Sequence, residues 1–422
     1  MRYKETDKSL PQIGQELNVD ALIEGSVLRA GQRLRITIQL IHAATDEHLW
    51  AEGYERDLCD ILSLQSEVAG AVAQEIRIKL TPQEHARLGW ARPVDPEAHD
   101  AYLRGRYSWN RRTEEALKKS LEYFQQAIEK DPGYALGYAG LADAYVLLGS
   151  PLYGAVAVEA TISRAKAAAE KALEIDGALV EARASLAYSL TLYGHDWLCA
   201  EAEFKRAIEL DRNYATAHQW YSILLTVMGR HESAVAEASR ARELDPLSPI
   251  INSGLGIRYY YARRYDAAIE QCRRMLDVEP GFAVAHEYLG RSYERQGSFG
   301  NAIAEFQKAT SLSPTNPTYC SGLGISYALA GRTEEAVKVL EELKDLSKLR
   351  HVSAYHLAMV YAALGEKDRA FEYLRKAQVE HSGWMIYLQV EPRFDTLRDD
   401  SRFAEFVDSM GFPQTTNSRE LR

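Results

Sequence analysis

Small and bulky apolar positions recur along the second half of this chain at a fixed interval. Ala234, Ala238, Ala241 and Pro246 are repeated as Ala268, Cys272, Met275 and Pro280, and again as Ala302, Phe306, Ala309 and Pro314; the prolines set a step of 34 residues. A second half-pattern recurs at the same step, before Ala268, Ala302, Ala336 and Ala370: Leu255, Gly256 and Tyr259; Leu289, Gly290 and Tyr293; Leu323, Gly324 and Tyr327; Leu357, Ala358 and Tyr361. Leu289 and Tyr293 stand at i and i+4, one face of a helix. Gly297, Gly331 and Gly365 follow, where glycine accepts the left-handed conformation that ends a helix. The alanines form the packing face of a second helix, and the proline stops it or opens the next. Each unit is thus a helix pair.

Extending the frame outward predicts about eight pairs. The first lies near 101–134, with a first helix that departs from the pattern. The second opens at Tyr138, Leu141, Ala142 and Tyr145 and carries an insertion around Ser150–Ala160. The third, 180–214, has one extra residue near Gly194, His195, Asp196 and Trp197. The fourth to seventh begin near 215, 249, 283 and 317, and the eighth spans roughly 351–384. The aromatic stretch Trp384–Tyr387 and a short amphipathic helix with Phe403, Phe406 and Val407 read as a C-terminal cap.

The first ninety residues follow a different period. Leu34, Ile36, Ile38 and Leu40 alternate with Arg35, Thr37 and Gln39, the pattern of a half-buried strand. ALIEGSVLRA before it completes a hairpin through Ala30, Gly31 and Gln32, and HLWAEGYERDL supplies a third strand. A short helix is expected at 10–18 and a longer one at about 60–79, with Asp60 as N-cap. Thr81 and Pro82 would open another short helix, and Pro93 to Pro96 a linker.

The 34-residue period with these residue types resembles the tetratricopeptide repeat, TPR. The resemblance implies a superhelical scaffold for protein binding, its inner surface lined by first-helix residues. Carried onto this sequence, that surface holds Gln219, Trp220 and Ile223; Ile257, Tyr260 and Tyr261; Glu287, Tyr288, Arg291, Glu294 and Arg295; and Tyr355, His356 and Met359. Exposed aromatics with arginines suit anchoring of a peptide or protein partner, although the tyrosines could equally pad neighbouring helices. The Lys/Asn clamp with which chaperone-binding TPRs hold a terminal carboxylate is not evident. Residues 9–58 with the helix after them resemble the second half of the TolB amino-terminal-like (FlgO-like) α/β domain. In that family a further strand and helix come first, so the chain is expected to begin inside the domain. Its relatives join such a domain and TPRs to a Ser/Thr kinase, a winged-helix regulator or a nucleotide cyclase.

Composition narrows the choice. A net charge of −10 and a pI near 5.7 argue against nucleic-acid binding. No stretch approaches the roughly 20 apolar residues of a membrane span, so no membrane insertion is expected. MRYKETDKSL is no signal peptide. As written the chain reads as cytoplasmic; as part of a membrane protein it could lie outside. The cysteines at 59, 199, 272 and 320 share no metal spacing. Gly254-Leu255-Gly256 and Gly322-Leu323-Gly324 belong to the repeats and lack a surrounding βαβ unit. His195-Asp196 has no nucleophile beside it. No catalytic, cofactor-binding or metal-binding residue is predicted. The expected architecture is mostly α: a partial α/β domain at 1–92, a TPR α-solenoid of about eight helix pairs at 93–384, and a capping helix with a disordered tail at 385–422. The expected function is a non-enzymatic interaction scaffold; the alternative is the sensory or regulatory half of a larger bacterial signalling protein. Oligomeric state stays open.

Overall fold

The computed structural model describes residues 6–17, 19–31, 33–57, 61–76, 94–151, 158–193 and 196–413. Expectations that rest on Gln32, Cys59, Asp60, Thr81, Pro82, Pro93, Gly194 and His195, on most of the 150–160 insertion and on the tail after 413 lie outside them. The chain divides into two compact units, Met1–Arg104 with Gln125–Tyr134, and Gly105–Phe124 with Ala135–Arg422.

In the first unit, helix α1 (Leu10–Leu17) precedes strands β1 (Ala21–Ala30), β2 (Arg33–His42) and β3 (Glu47–Asp57), and helix α2 (Ile61–Glu75) follows. The strands form an antiparallel sheet in the order β1-β2-β3. Gly31 and Asp46 take positive φ in its two turns. The period-two pattern of β2 puts Leu34, Ile38 and Leu40 inside and Arg35 outside. A register shift at Leu40/Ile41 breaks the alternation, and both of these side chains are buried. Leu34, Tyr54 and Leu64 form the core, flanked by Ile36, Val68 and Ala71. β1 is an edge strand with Ile23, Val27 and Leu28 exposed.

The helix pairs run α3 (Pro96–Asn110) with α4 (Glu114–Lys130), α5 (Ala135–Gly149) with α6 (Val158–Ile175), α7 (Val180–Leu192) with α8 (Trp197–Leu210), and α9 (Ala215–Val227) with α10 (His231–Leu244). They continue as α11 (Pro249–Tyr261) with α12 (Tyr265–Val278), α13 (Ala283–Arg295) with α14 (Phe299–Leu312), α15 (Pro317–Leu329) with α16 (Thr333–Leu346), and α17 (Ala354–Ala363) with α18 (Lys367–Val379). The division between units runs through α3 and α4. The fold is a mostly α, helix-pair solenoid with a small three-stranded sheet ahead of it.

The small residues of the pattern have a steric reason. A Cβ on Gly290 would lie 2.8 Å from the Phe306 ring, and one on Gly322 2.1 Å from it. The second-helix aromatic is therefore clamped between glycines of its own repeat and the next. Phe124 sits likewise between Gly105 and Gly140. Gly229, Gly297, Gly331 and Gly365 end their first helices at φ between 73° and 79°.

After α18 come two 3₁₀ turns, Gly383–Tyr387 and Pro392–Leu397, and helix α19 (Ser401–Ser409). Phe403 and Phe406 are the buried face of α19. This segment does more than cover the last repeat. The Trp197 indole, at the start of α8, donates to the Met410 carbonyl at 3.3 Å and stacks on Phe412 at 5.0 Å. The stretch between turns its side chains into the inner face of the intervening repeats.

Candidate groove and its C-terminal occupant

Tyr260 and Tyr261 end α11, and Glu287, Tyr288, Arg291, Glu294 and Arg295 line α13. The structure brings them together against the C-terminal segment, and the surface they form is not open. Tyr260, Glu287 and Arg291 have no exposed area, Tyr261, Tyr288 and Glu294 very little, and Arg295 alone of the set is partly exposed.

Glu391, itself fully buried, is the centre of the contact. Its carboxylate accepts from the Tyr260 hydroxyl at 2.9 Å, the Tyr261 hydroxyl at 3.4 Å and Arg291 Nη1 at 3.0 Å. Arg291 Nε donates to Glu287 at 2.9 Å, so this guanidinium lies between two carboxylates. Arg393 Nε donates to Glu294 at 2.8 Å, and Ser326 donates to the other oxygen of Glu294 at 2.6 Å. Asp395 takes two bonds of 2.7 Å from Arg263 and lies 3.5 Å from Arg295. Gln389 donates to the Val227 carbonyl at 2.6 Å. Burial raises the carboxyl pKa of Glu287 and Glu294 above the ordinary range, with Arg291 and Arg393 opposing it.

Aromatic contacts complete the seating. Tyr387 stacks on Tyr261 at 5.0 Å, and Phe394 meets Tyr355 edge-on at 5.2 Å. Trp384 lies 5.4 Å from His356, whose ring also faces Ser321 and Thr318. Burial, with Arg291 and Arg393 nearby, lowers the His356 pKa to about 3, so the ring is neutral.

Two candidates stand apart from this cluster. Trp220 stacks on Tyr188 at 4.9 Å and pads neighbouring helices, and Gln219 reaches the Ile250 carbonyl at 3.4 Å. The Glu287–Arg291 pair, which a reading of α13 alone makes a surface i,i+4 pair, is buried inside a larger charge cluster. Sequence reasoning missed Glu391, Arg393 and Asp395. Their signal was present: three ionisable residues on one inner helix face need counter-charges, and the cap carries Glu-Pro-Arg-Phe-Asp.

Among the described residues no group of three or more His, Cys, Asp or Glu is placed to hold a metal ion, and no helix is long and apolar enough to cross a membrane. Cys272 is buried beneath Gly256, and Cys320 is partly buried.

Comparison with known families places two models described as tetratricopeptide repeat on residues 254–317 and 352–378. Those stretches of the solenoid are tetratricopeptide repeats. A protein of Rhizobium meliloti (strain 1021) named "Putative adenylate cyclase 3" is 36% identical over 140 residues, 33% of this chain. The chain spans only 24% of that relative's length. A tetratricopeptide repeat protein from Parabacteroides merdae is 15% identical, covering 60% of this chain and 93% of its own, with a TM-score of 0.44. A thermophilic TPR protein of Thermus thermophilus is 18% identical, over 46% of this chain and 98% of its own, with a TM-score of 0.39. The repeats make the second unit an array of the protein-interaction type.

Proposed function

We propose that this chain is a non-enzymatic scaffold that takes a short peptide segment of a partner into the inner face of its fifth to eighth repeats. One observation carries the reading: that face is already matched, residue by residue, to a short irregular segment, 383–398 of the same chain. A partner peptide with a similar acidic and aromatic pattern would compete with it. Tyrosine and arginine suit such anchoring, since both give large contact area and directional bonds. The test uses the whole protein with Glu391→Ala and Asp395→Ala, which loosens the internal segment. A fluorescent peptide of residues 383–398 should bind this variant more tightly than the wild type. Failure to bind either protein would remove the groove as a peptide site.

A second reading is favoured by the cyclase-named relative and by the N-terminal unit, whose segments resemble a TolB amino-terminal-like domain. On it the chain is the regulatory part of a larger signalling protein, with domains near 1–92, 93–384 and 385–422. An in-frame cyclase, kinase or winged-helix module in the flanking DNA would establish it; stop codons on both sides would sink it.

A further inference from the structure

Three arginines are buried among the described residues, 258, 291 and 393. Arg291 and Arg393 each meet a carboxylate. Arg258, on α11, meets none within ion-pair distance. Its Nη1 makes one long bond, 3.3 Å, to the Ser222 hydroxyl, and its Nε has no partner. Ser222, which accepts that bond and donates to the Gln219 carbonyl at 2.6 Å, carries no charge to balance the guanidinium. The Tyr387 hydroxyl is the other polar group against it. A guanidinium keeps its charge in any protein environment, and a buried charge without a counter-ion is costly.

Arg258 lines a cavity of about 50 Å³, walled by Ile223, Ile257, Tyr288 and Trp384 and bordered by Gln219 and Gly254. Room of that kind for one water is about 10–15 Å³, so the space takes a few water-sized groups, which matches a carboxylate on a short stem. The apolar walls suit the stem, and the planar fork suits the carboxylate.

We infer that this cavity is a binding site for a small carboxylate, held by Arg258. The inference is independent of whether the groove captures a peptide. Two sources share the chemistry, a free monocarboxylate and an acidic side chain of a partner. Calorimetric titration of the full chain with sodium propionate, and separately with a capped Gly-Glu-Gly peptide, distinguishes them. Either probe binding one-to-one supports the site; propionate binding assigns it to free carboxylates, and binding of the peptide alone to a side chain. Arg258→Met removes the charge and should weaken binding at least about tenfold. Gly254→Leu fills the cavity and keeps the charge; a Cβ there has room, its nearest neighbour being Gln219 at 3.8 Å. It should abolish binding even if Arg258→Met does not fold. Neither probe binding the wild type, or unchanged affinity in either folded variant, would overturn the inference.

Discussion

Arg263 occupies the repeat position that is glycine at 229, 297, 331 and 365, and it takes the same left-handed conformation, φ 59°. A side chain there costs about 1 kcal/mol or more. What Arg263 returns is its pair of bonds to Asp395, a partly exposed ion pair of modest value. Arg263→Ala loses the pair and keeps the strain; Arg263→Gly loses the pair and relieves it. Thermal denaturation should therefore find the alanine variant less stable than the glycine variant by about 1 kcal/mol; equal stabilities would mean the backbone is not strained. Gly297, Gly331 and Gly365 were legible in the sequence as helix ends, whereas Arg263 was not, because its compensation lies in a segment 132 residues away. His356 makes a second prediction. Folded, its pKa is about 3 against an ordinary 6.5, so below pH 6.5 the unfolded chain binds the proton that the folded chain refuses. Stability should fall as pH falls from 6.5 towards 3, by up to about 1.4 kcal/mol per unit. Glu287 and Glu294, raised by burial, act in the opposite sense over the acid range. His356→Gln isolates the histidine: on acidification from pH 6.5 the variant should lose less stability than the wild type, or gain more, and parallel profiles would count against a neutral buried ring.

At the scale of the element, one polar device repeats with the array. Near the start of a first helix, a side chain reaches the carbonyl six residues earlier, in the turn before it. Arg183 bonds Gly177 at 2.8 Å, His218 Arg212 at 2.9 Å, Asn252 Pro246 at 2.8 Å and His286 Pro280 at 2.9 Å. His218 and His286 each hold a second-helix glutamate, Glu237 and Glu305, with the other ring nitrogen at 2.6 Å. Cys320 has this position in the seventh repeat, and its Sγ makes a weak 3.5 Å contact to the Pro314 carbonyl. Cys320→Asn should supply the stronger donor and raise stability by about 0.5–1.5 kcal/mol, read as a shift of the denaturant midpoint. No gain would mean the turn cannot accept the amide. Helices and strands were legible because their apolar period is 3.6 or 2, and the glycine clamp on Phe306 is visible as small residues at fixed spacing. The two 3₁₀ turns have no such period. Gly383–Tyr387 read as an aromatic stretch, and Pro392–Leu397 as part of the C-terminal cap without an element of its own.

At the scale of the whole second unit, a repeat array alone has nearest-neighbour stability, so damage should stay near its origin. The C-terminal segment changes that expectation. Trp197 holds Met410, Val227 holds Gln389, Arg291 holds Glu391 and Glu294 holds Arg393, so repeats distant in the chain share one set of bonds. Glu391 carries the largest part, since it joins Tyr260, Tyr261 and Arg291 and also caps its own turn through the Arg393 amide at 3.2 Å. Glu391→Gln keeps the shape and removes the charge. It leaves Arg291 with Glu287 as its one carboxylate, and breaking a buried pair in this way costs about 3–5 kcal/mol. Hydrogen exchange should then speed up at two places together, in 383–398 and at the ends of α11 and α13, while α5 and α6 keep their protection. Faster exchange confined to 383–398 would mean that the segment merely rests on a groove that holds its form without it. Joint loss at both places would make the segment part of the array's own core, and any partner entering the groove would have to replace what Glu391 supplies.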